Sequence, residues 1–268
     1  MMKQVKFFAV AIATMVVAAC GGNKQAETTD TVDSLKVFEQ EQIEASIKLN
    51  IDSLAAQMAK LKQLPIRKKD GMIVLTEEER LAKPAYLLEP GIAEKATTLA
   101  EQYRVLTALQ IDREIAELYG MPVSEYENEI AKLIVDINDP SFKVLDETDG
   151  DVYEASSELY NAMEENGRIN FFWQIASTAL IEQLYVISQN TDKFLTAFDD
   201  NAASNVSLRI ILIQDALNRL TEYDPEIIPV AEAFDPLTVI NAITVDELRD
   251  QLNDAKDQIA EARNRLIE

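Results

Sequence analysis

Apolar residues recur along most of the chain at the spacing of an α-helix. In residues 34–64 they follow one another at alternating steps of four and three residues: Ile47, Ile51, Leu54, Met58 and Leu61. This spacing places them on one face of a helix. Pro65 then ends the stretch. We therefore predict a first amphipathic helix over about Ser34–Leu64.

Further helices are predicted because only seven glycines and eight prolines interrupt the chain. A long helix covers Ile92–Tyr119 and ends at Gly120, which suits the left-handed position after a helix. Ser124 begins the next helix, and Glu127 completes the spacing of a capping box. Pro140 follows the end of that helix.

Residues 152–190 are predicted to be helical, with a break near Asn166 and Gly167. The second part, "INFFWQIASTALIEQLYVI", is apolar on nearly every face and is therefore expected to be the central helix. Shorter helices fit Asp192–Phe198 and Ser204–Tyr223, and a proline-rich connector follows them.

The last helix opens at Thr244, where Glu247 provides a second capping-box spacing. Its apolar residues form a heptad seam: Val245, Leu248, Leu252, Ala255, Ile259, Ala262 and Leu266. Because two of the seven are alanine and the seam is short, packing against the domain is the favoured interpretation. A partner helix is the alternative.

These elements together predict an all-α, multi-helix bundle in one domain, residues 35–268. A weak internal repeat suggests two related helical hairpins, because "TTLAEQYRVL" (Thr97–Leu106) resembles "TALIEQLYVI" (Thr178–Ile187). Chance agreement between two amphipathic hairpins explains the same similarity, so both interpretations stay open.

The first residues have the outline of a secretory signal peptide. Lys3 and Lys6 precede the uncharged apolar stretch 7–19, which is too short to span a bilayer stably. The following "VAAC" and glycine resemble the lipobox of bacterial lipoproteins. The resemblance implies that residues 1–19 are cleaved and that Cys20 carries a diacylglyceryl anchor. An unmodified thiol after an ordinary signal peptide is the alternative.

Residues 20–34 are polar and are expected to be a flexible, lipidated tether. The resemblance thus implies a cell-envelope protein anchored to a membrane, with the outer membrane favoured. Whether the domain faces the periplasm or the cell surface stays open.

The chain is strongly acidic, with 47 acidic and 25 basic residues and a formal charge of -22. Cleavage after residue 19 removes two lysines and no acid, which leaves -24. Such a surface repels nucleic acid and anionic headgroups. We therefore expect an envelope protein or glycan as partner, and attachment to the membrane through the lipid alone.

The sequence contains no histidine, which excludes Ser-His-Asp and Cys-His nucleophile systems and the usual zinc enzymes. No glycine-rich phosphate loop is present. The acidic loop Leu145–Glu154 fails the EF-hand pattern, since Leu145 occupies the place of the first carboxylate ligand. We therefore predict no catalytic residue, metal or cofactor.

The repeat singles out four polar residues as a speculative binding set: Glu101, Gln102, Glu182 and Gln183. Interhelical hydrogen bonds or solvent exposure are the favoured interpretation of this set. The aromatic cluster Phe171–Trp173 is expected in the core rather than in a sugar-stacking platform. The basic triplet Arg67–Lys69 is expected in a solvated turn rather than at an anionic ligand.

The lack of a recognisable catalytic set of residues and the expected lipid anchor together favour a non-enzymatic, membrane-tethered binding or protein-interaction module. Two alternatives are a carboxylate-dependent hydrolase of envelope glycans and a structural subunit of an envelope complex. Phe172 and Trp173 exposed in a groove with two converging carboxylates would favour the hydrolase. A large exposed apolar patch would favour assembly.

Replacement of Cys20 by Ser is expected to abolish lipidation, because serine lacks the sulfur that takes the diacylglyceryl group. Labelling with a tagged palmitate in a bacterial host and detergent phase partition measure the effect. The expected product is uncleaved or released in soluble form, whereas a Thr31→Ser control in the tether keeps its label. A Cys20→Ser chain of mature size that still partitions into detergent contradicts the anchor.

Overall fold

The computed structural model describes residues 42, 45–66, 73–148 and 155–267, and within them the chain forms helices and no β-strand. This confirms the predicted all-α, multi-helix bundle. The chain divides into two compact units, Met1–Ser46 and Ile47–Glu268, and the first contains only the described residues 42, 45 and 46. The predicted signal peptide (1–19), Cys20, the tether (20–34) and Arg67–Lys69 lie outside the described residues.

Eleven α-helices lie in the described residues. They are α1 (45–58), α2 (Glu77–Leu81), α3 (Leu99–Leu118), α4 (Ser124–Ile137), α5 (Ser156–Glu165), α6 (Ile169–Gln189), α7 (Thr191–Phe194), α8 (Asp200–Leu220), α9 (Ile228–Phe234), α10 (Val245–Asp254) and α11 (Lys256–Ile267). Short 3-10 helices lie between them: Pro90–Lys95, Pro140–Thr148, Leu195–Ala197, Pro225–Ile227 and Asp235–Val239. None of the described helices is both long and apolar enough to cross a membrane.

The helix α6 is the centre of the bundle, as predicted. Most of its side chains are buried, including Trp173, Ile181 and Leu184, which are fully enclosed. It packs against α3 and α11 most extensively and also against α8 and α5. A helix that is apolar on almost every face is stable in water only when neighbours cover all of it, and these four helices provide most of that cover.

Two helix ends lie where the sequence predicts them, and each lies at a glycine with a left-handed backbone conformation. Gly120 and Gly167 both have a φ of 68°, a left-handed conformation that glycine adopts without strain. After each of them the next residue closes a six-residue ring: Met121 N–H donates to Ala116 and Arg168 N–H donates to Met163. The predicted end at Gly120 and the break near Gly167 are therefore confirmed.

Several helix starts differ from the prediction. The segment Ile92–Tyr119 is not one helix, because α3 begins only at Leu99, where Thr98 and Glu101 form a capping box. The predicted capping box at Ser124 is wrong: Val123 is the N-cap of α4, and no side chain bonds there. In addition, α8 begins at Asp200, four residues early, because the Asp199 side chain caps it.

Two other segments also differ. The helix α1 ends at residue 58 rather than Leu64, since the chain turns at 59–61 to bury Leu64 and Ile66. The proline-rich connector is mostly helical and buried, with Phe234 and Leu237 fully enclosed. Prolines are tolerated there because each stands in the first turn of its short helix.

The heptad seam of the last helix faces the core, which confirms the favoured interpretation. Leu248, Leu252, Ile259 and Leu266 are all buried. The helix breaks at Ala255 into α10 and α11. Thr244 caps α10, although the Glu247 carboxylate accepts from the N–H of Ile243 rather than from that of Thr244.

The helix boundaries do not support the internal repeat. Thr97 and Thr98 precede α3, whereas their counterparts Thr178 and Ala179 lie in the middle of α6. The long first helix of each predicted hairpin is thus out of step with the other by about half its length. The shared residues reflect two helices of similar composition.

Candidate functional site

A cavity of about 500 Å³ lies between α1, α5, α6 and α8. Alanines line much of its wall: Ala55 and Ala56 on α1, Ala59 in the turn that follows α1, and Ala176 and Ala179 on α6. Small side chains on helices that approach each other leave space that larger residues would fill. Phe172 and Ile175 extend the apolar wall, and the cavity volume lies within the range of small-molecule sites.

One end of the cavity is acidic. Lys48 binds the carboxylates of both Asp52, at 2.9 Å, and Glu164. The Tyr160 hydroxyl donates to the other oxygen of Asp52 at 2.6 Å. Burial, together with this hydrogen bond, raises the pKa of Tyr160, so its hydroxyl stays protonated as a donor. The acidic groups at this end therefore already have partners within the chain.

Arg209 on α8 lies at another part of the wall. Its Nη2 donates to the main-chain carbonyl oxygens of Leu61, at 3.4 Å, and Lys62. Its Nε is buried and has no hydrogen-bond partner. Burial lowers the pKa of Arg209 to about 10, so the side chain is still charged at neutral pH. No carboxylate in the described part of the chain pairs with this charge.

The acidic groups and Arg209 both line the cavity. Asp52 is one of the acidic groups and the Leu61 carbonyl accepts from Arg209, and both belong to the same stretch of chain. The helix α1 covers this stretch only up to Met58, a rise of about 9 Å from Asp52 at 1.5 Å per residue, and the chain turns after it. The cavity wall therefore combines alanines with two polar groups that contact different turns of the same stretch.

The four residues of the speculative binding set do not come together. Glu101 is the capping-box carboxylate of α3, and its hydrogen bonds to the N–H groups of Thr98 and Thr97 lower its pKa. Gln102 is partly buried in the same turn. Only Gln183 lines the cavity, and its side chain makes no hydrogen bond to the described residues.

Glu182 belongs to a different site, a buried ion cluster between α3, α6 and α11. The Nε of Arg263 lies 3.0 and 2.8 Å from the two carboxylate oxygens of Glu182. Its Nη2 lies 3.5 Å from Asp112 Oδ2, which also accepts from the N–H of Leu88 at 2.6 Å. The guanidinium group stacks over the Tyr185 ring at 4.2 Å.

Two carboxyl groups share one arginine in this cluster. Burial raises the pKa of Asp112 well above that of an exposed aspartate, and the negative charge of Glu182 adds to this effect. Arg263 and the Leu88 N–H oppose the rise without cancelling it. Asp112 and Glu182 are fully buried and neither lines the cavity. The cluster therefore neutralises charge inside the core and lies outside the cavity.

The aromatic cluster divides between two environments. Trp173 is fully buried, as the core interpretation predicts, and Phe172 is 7% exposed at the edge of the cavity. Phe171 stacks on Tyr103 with ring centroids 4.8 Å apart. Only Phe172 could therefore contact a ligand in the cavity.

Some apolar side chains of α8, and Ile243 in the connector after it, are exposed outside the cavity. Leu208 is 40% and Ile211 61% exposed. Ile243 is exposed too, and its carbonyl accepts from Ser204, one turn before Leu208. These residues are the observation that favours the assembly alternative.

Metal binding finds no support in the described residues, where no three acidic, histidine or cysteine side chains cluster closely enough. Of the acidic loop Leu145–Glu154, the structure describes residues 145–148, in which Leu145 is buried. Comparison of the chain with protein-family profiles, with curated protein sequences and with solved structures finds no match.

We expect Asp112→Asn to change the pH dependence of stability. The raised pKa means that the folded state holds a proton that the unfolded state releases, so this group makes stability fall as pH rises from about 4. Asparagine cannot ionise. The free energy of unfolding of Asp112→Asn minus that of the parent should therefore increase as pH rises. Urea unfolding between about pH 5 and pH 8 measures it.

Asp215→Asn is the matched control, because Asp215 lies half-exposed on α8 and pairs with Arg219. Its effect should vary little with pH, since the charges of exposed pairs are screened. If the difference between Asp112→Asn and the parent does not change with pH, Asp112 is ionised in the folded protein and our interpretation of the cluster is wrong.

Proposed function

We propose that this protein is a membrane-tethered lipoprotein of the cell envelope whose helical domain acts as a non-enzymatic binding module. The binding site is the cavity between α1, α5, α6 and α8. The lipobox-like "VAAC" supports the tether, and the absence of histidine from the whole sequence supports a binding role. In this proposal Cys20 holds the domain at the membrane, and the cavity takes a small molecule.

The observation that carries the proposal is the chemistry of the cavity wall. Its apolar surface is formed by alanines, Phe172 and Ile175, and its polar groups include Gln183 and Arg209. Neither of these two side chains forms a hydrogen bond or an ion pair with another side chain of the described residues. An apolar cavity with a few polar groups that lack side-chain partners is the usual composition of a ligand site.

A carboxylate-dependent hydrolase is the second candidate. Asp52 and Glu164 line the cavity beside Phe172, and both reach the same Lys48. Binding is favoured because one lysine already engages both carboxylates, and Tyr160 engages Asp52 as well. A catalytic pair needs one carboxyl that is free to give its proton to the substrate.

Replacing Ala176 by Phe tests the binding site, because the larger side chain projects from α6 into the cavity. The ligand is the uncharged fluorophore N-phenyl-1-naphthylamine, titrated into the chain expressed from Gly21, which keeps the whole compact unit Ile47–Glu268. The only tryptophan, Trp173, adjoins Phe172 and serves as energy donor. We expect one site in the parent and at least tenfold weaker binding in Ala176→Phe.

Ala131→Phe is the control, because Ala131 is exposed on α4 and does not line the cavity. It should bind the fluorophore as the parent does, and circular dichroism checks that both variants are helical. Equal binding by the parent and Ala176→Phe would show that the fluorophore binds elsewhere and would overturn the proposed site.

Glu164→Gln separates binding from hydrolysis. We expect no release of reducing ends from envelope glycans by the chain or by either of two variants, Glu164→Gln and the control Glu165→Gln. Glu165 is the exposed neighbour of Glu164 and lies outside the cavity. Turnover that is lost in Glu164→Gln and kept in Glu165→Gln would replace the binding proposal by the hydrolase.

A further inference from the structure

We infer that the ligand of the cavity is a single-chain amphiphile with an anionic head, and that Arg209 binds the head. The inference rests on the proposed function, because it names the class of ligand for the same cavity. The apolar tail lies along the alanine wall, and the carboxylate or phosphate head lies against the guanidinium group.

The lining of the cavity selects an apolar body. Alanines on α1, in the turn after it and on α6 line the cavity, and Met58, Leu61 and Ile213 add apolar surface. A hydrocarbon chain fits a cavity lined mainly by apolar side chains better than a wholly polar molecule does.

The charge of Arg209 selects the head. The chain has almost two acidic residues for each basic one, yet no acid among the described residues pairs with Arg209. Burial lowers the pKa of Arg209, which means that its charge is destabilised by the loss of water. An anion beside the guanidinium group would remove this cost, and a planar guanidinium binds carboxylate or phosphate with two parallel hydrogen bonds.

Other partly buried arginines in this chain do have acidic neighbours. Arg263 pairs with Glu182 and Asp112. Arg104, which also donates to a main-chain carbonyl, has Glu101 and Glu226 close enough to favour its charge. Arg209 differs from both because it lines a cavity and has no acidic neighbour in the described part of the chain.

The main-chain contacts of Arg209 fix its orientation. Its Nη2 is held by the carbonyls of Leu61 and Lys62, so little side-chain entropy remains to be lost on binding. A ligand that meets an already ordered guanidinium group binds more tightly than one that must order it.

The acidic end does not offer an equivalent site for a cation. Lys48 already lies between Asp52 and Glu164, and the Tyr160 hydroxyl takes the second oxygen of Asp52. A cationic head would have to displace the lysine. An anionic head at Arg209 displaces no carboxylate, so the cavity favours anionic over cationic amphiphiles.

The test is displacement of N-phenyl-1-naphthylamine from the chain expressed from Gly21. Four ligands with ten carbon atoms each are compared below their micelle concentrations: decanoate, decyl phosphate, decanol and decylamine. We expect the two anions to bind at least tenfold more tightly than decanol and decylamine. The tighter anion distinguishes a free fatty acid from a phosphate-headed lipid, and either result supports the inference.

Arg209→Gln should remove the preference for anions, while decanol binding changes less than about threefold. Arg209→Lys keeps the charge without the planar fork and should retain part of the preference. Arg219→Gln is the matched control, because Arg219 lies on the same helix outside the cavity and pairs with Asp215. Decanol binding in each variant shows that the cavity is intact.

The outcomes separate the two proposals. If decanol and decanoate bind the parent equally, or if Arg209→Gln keeps the full preference for anions, the inference about the head is wrong and the cavity is still a binding site. If neither the fluorophore nor any of the four amphiphiles binds, the proposed function fails as well.

Discussion

The structure depends on the enclosure of α6, a helix with almost no face that water can solvate. Helices α3 and α11 pack against it most extensively, and α5, α7, α8, α9 and α10 add further cover. The requirement explains why even the proline-rich segment before α10 folds into short helices with buried side chains. It also explains the cavity, since α1 approaches α6 through alanines that leave the cover incomplete.

Two successive residues of α6 show how this enclosure creates two different polar sites. Neighbouring side chains on a helix point about 100° apart, so Glu182 faces α3 and α11 while Gln183 faces the cavity. The first site is closed, because Arg263 balances its charge. The second contains Arg209, whose charge no carboxylate of the described residues balances. One core therefore contains a site that is complete and a site that is not.

The fold class and the central helix were predictable because helical periodicity is a local property, and few glycines or prolines disturb it. Gly120 and Gly167 were predictable ends for the same reason. The ion cluster was not, since nothing near Glu182 reveals a partner 81 residues later. The cavity was also missed, because its alanines are ordinary helix formers. Gln183 belongs to the sequence-derived binding set only because of a repeat that the helix boundaries do not support.

Arg209 had only a weak signal in the sequence, a single basic residue in the apolar run "SLRIIL". Such a residue more often lies on a solvated face, and only tertiary packing shows that it does not. The misplaced helix starts have a similar cause. Val123 and Asp199 became N-caps through the path of the backbone and a local side-chain bond, which residue spacing alone does not determine.

The distance along the chain between the partners of the ion cluster has a consequence for the order of folding. Arg104 on α3 donates to Leu266 on α11 across 162 residues, and Arg263 reaches Glu182 across 81. During synthesis α3 and α6 emerge before α11, so for that interval the Glu182 carboxylate lacks Arg263, the cation that pairs with it in the complete fold. Unpaired buried charge is strongly destabilising. Completion of the core therefore requires the last helix, and we expect a chain cut short before Arg263 to be degraded by proteases rather than to form a smaller stable domain.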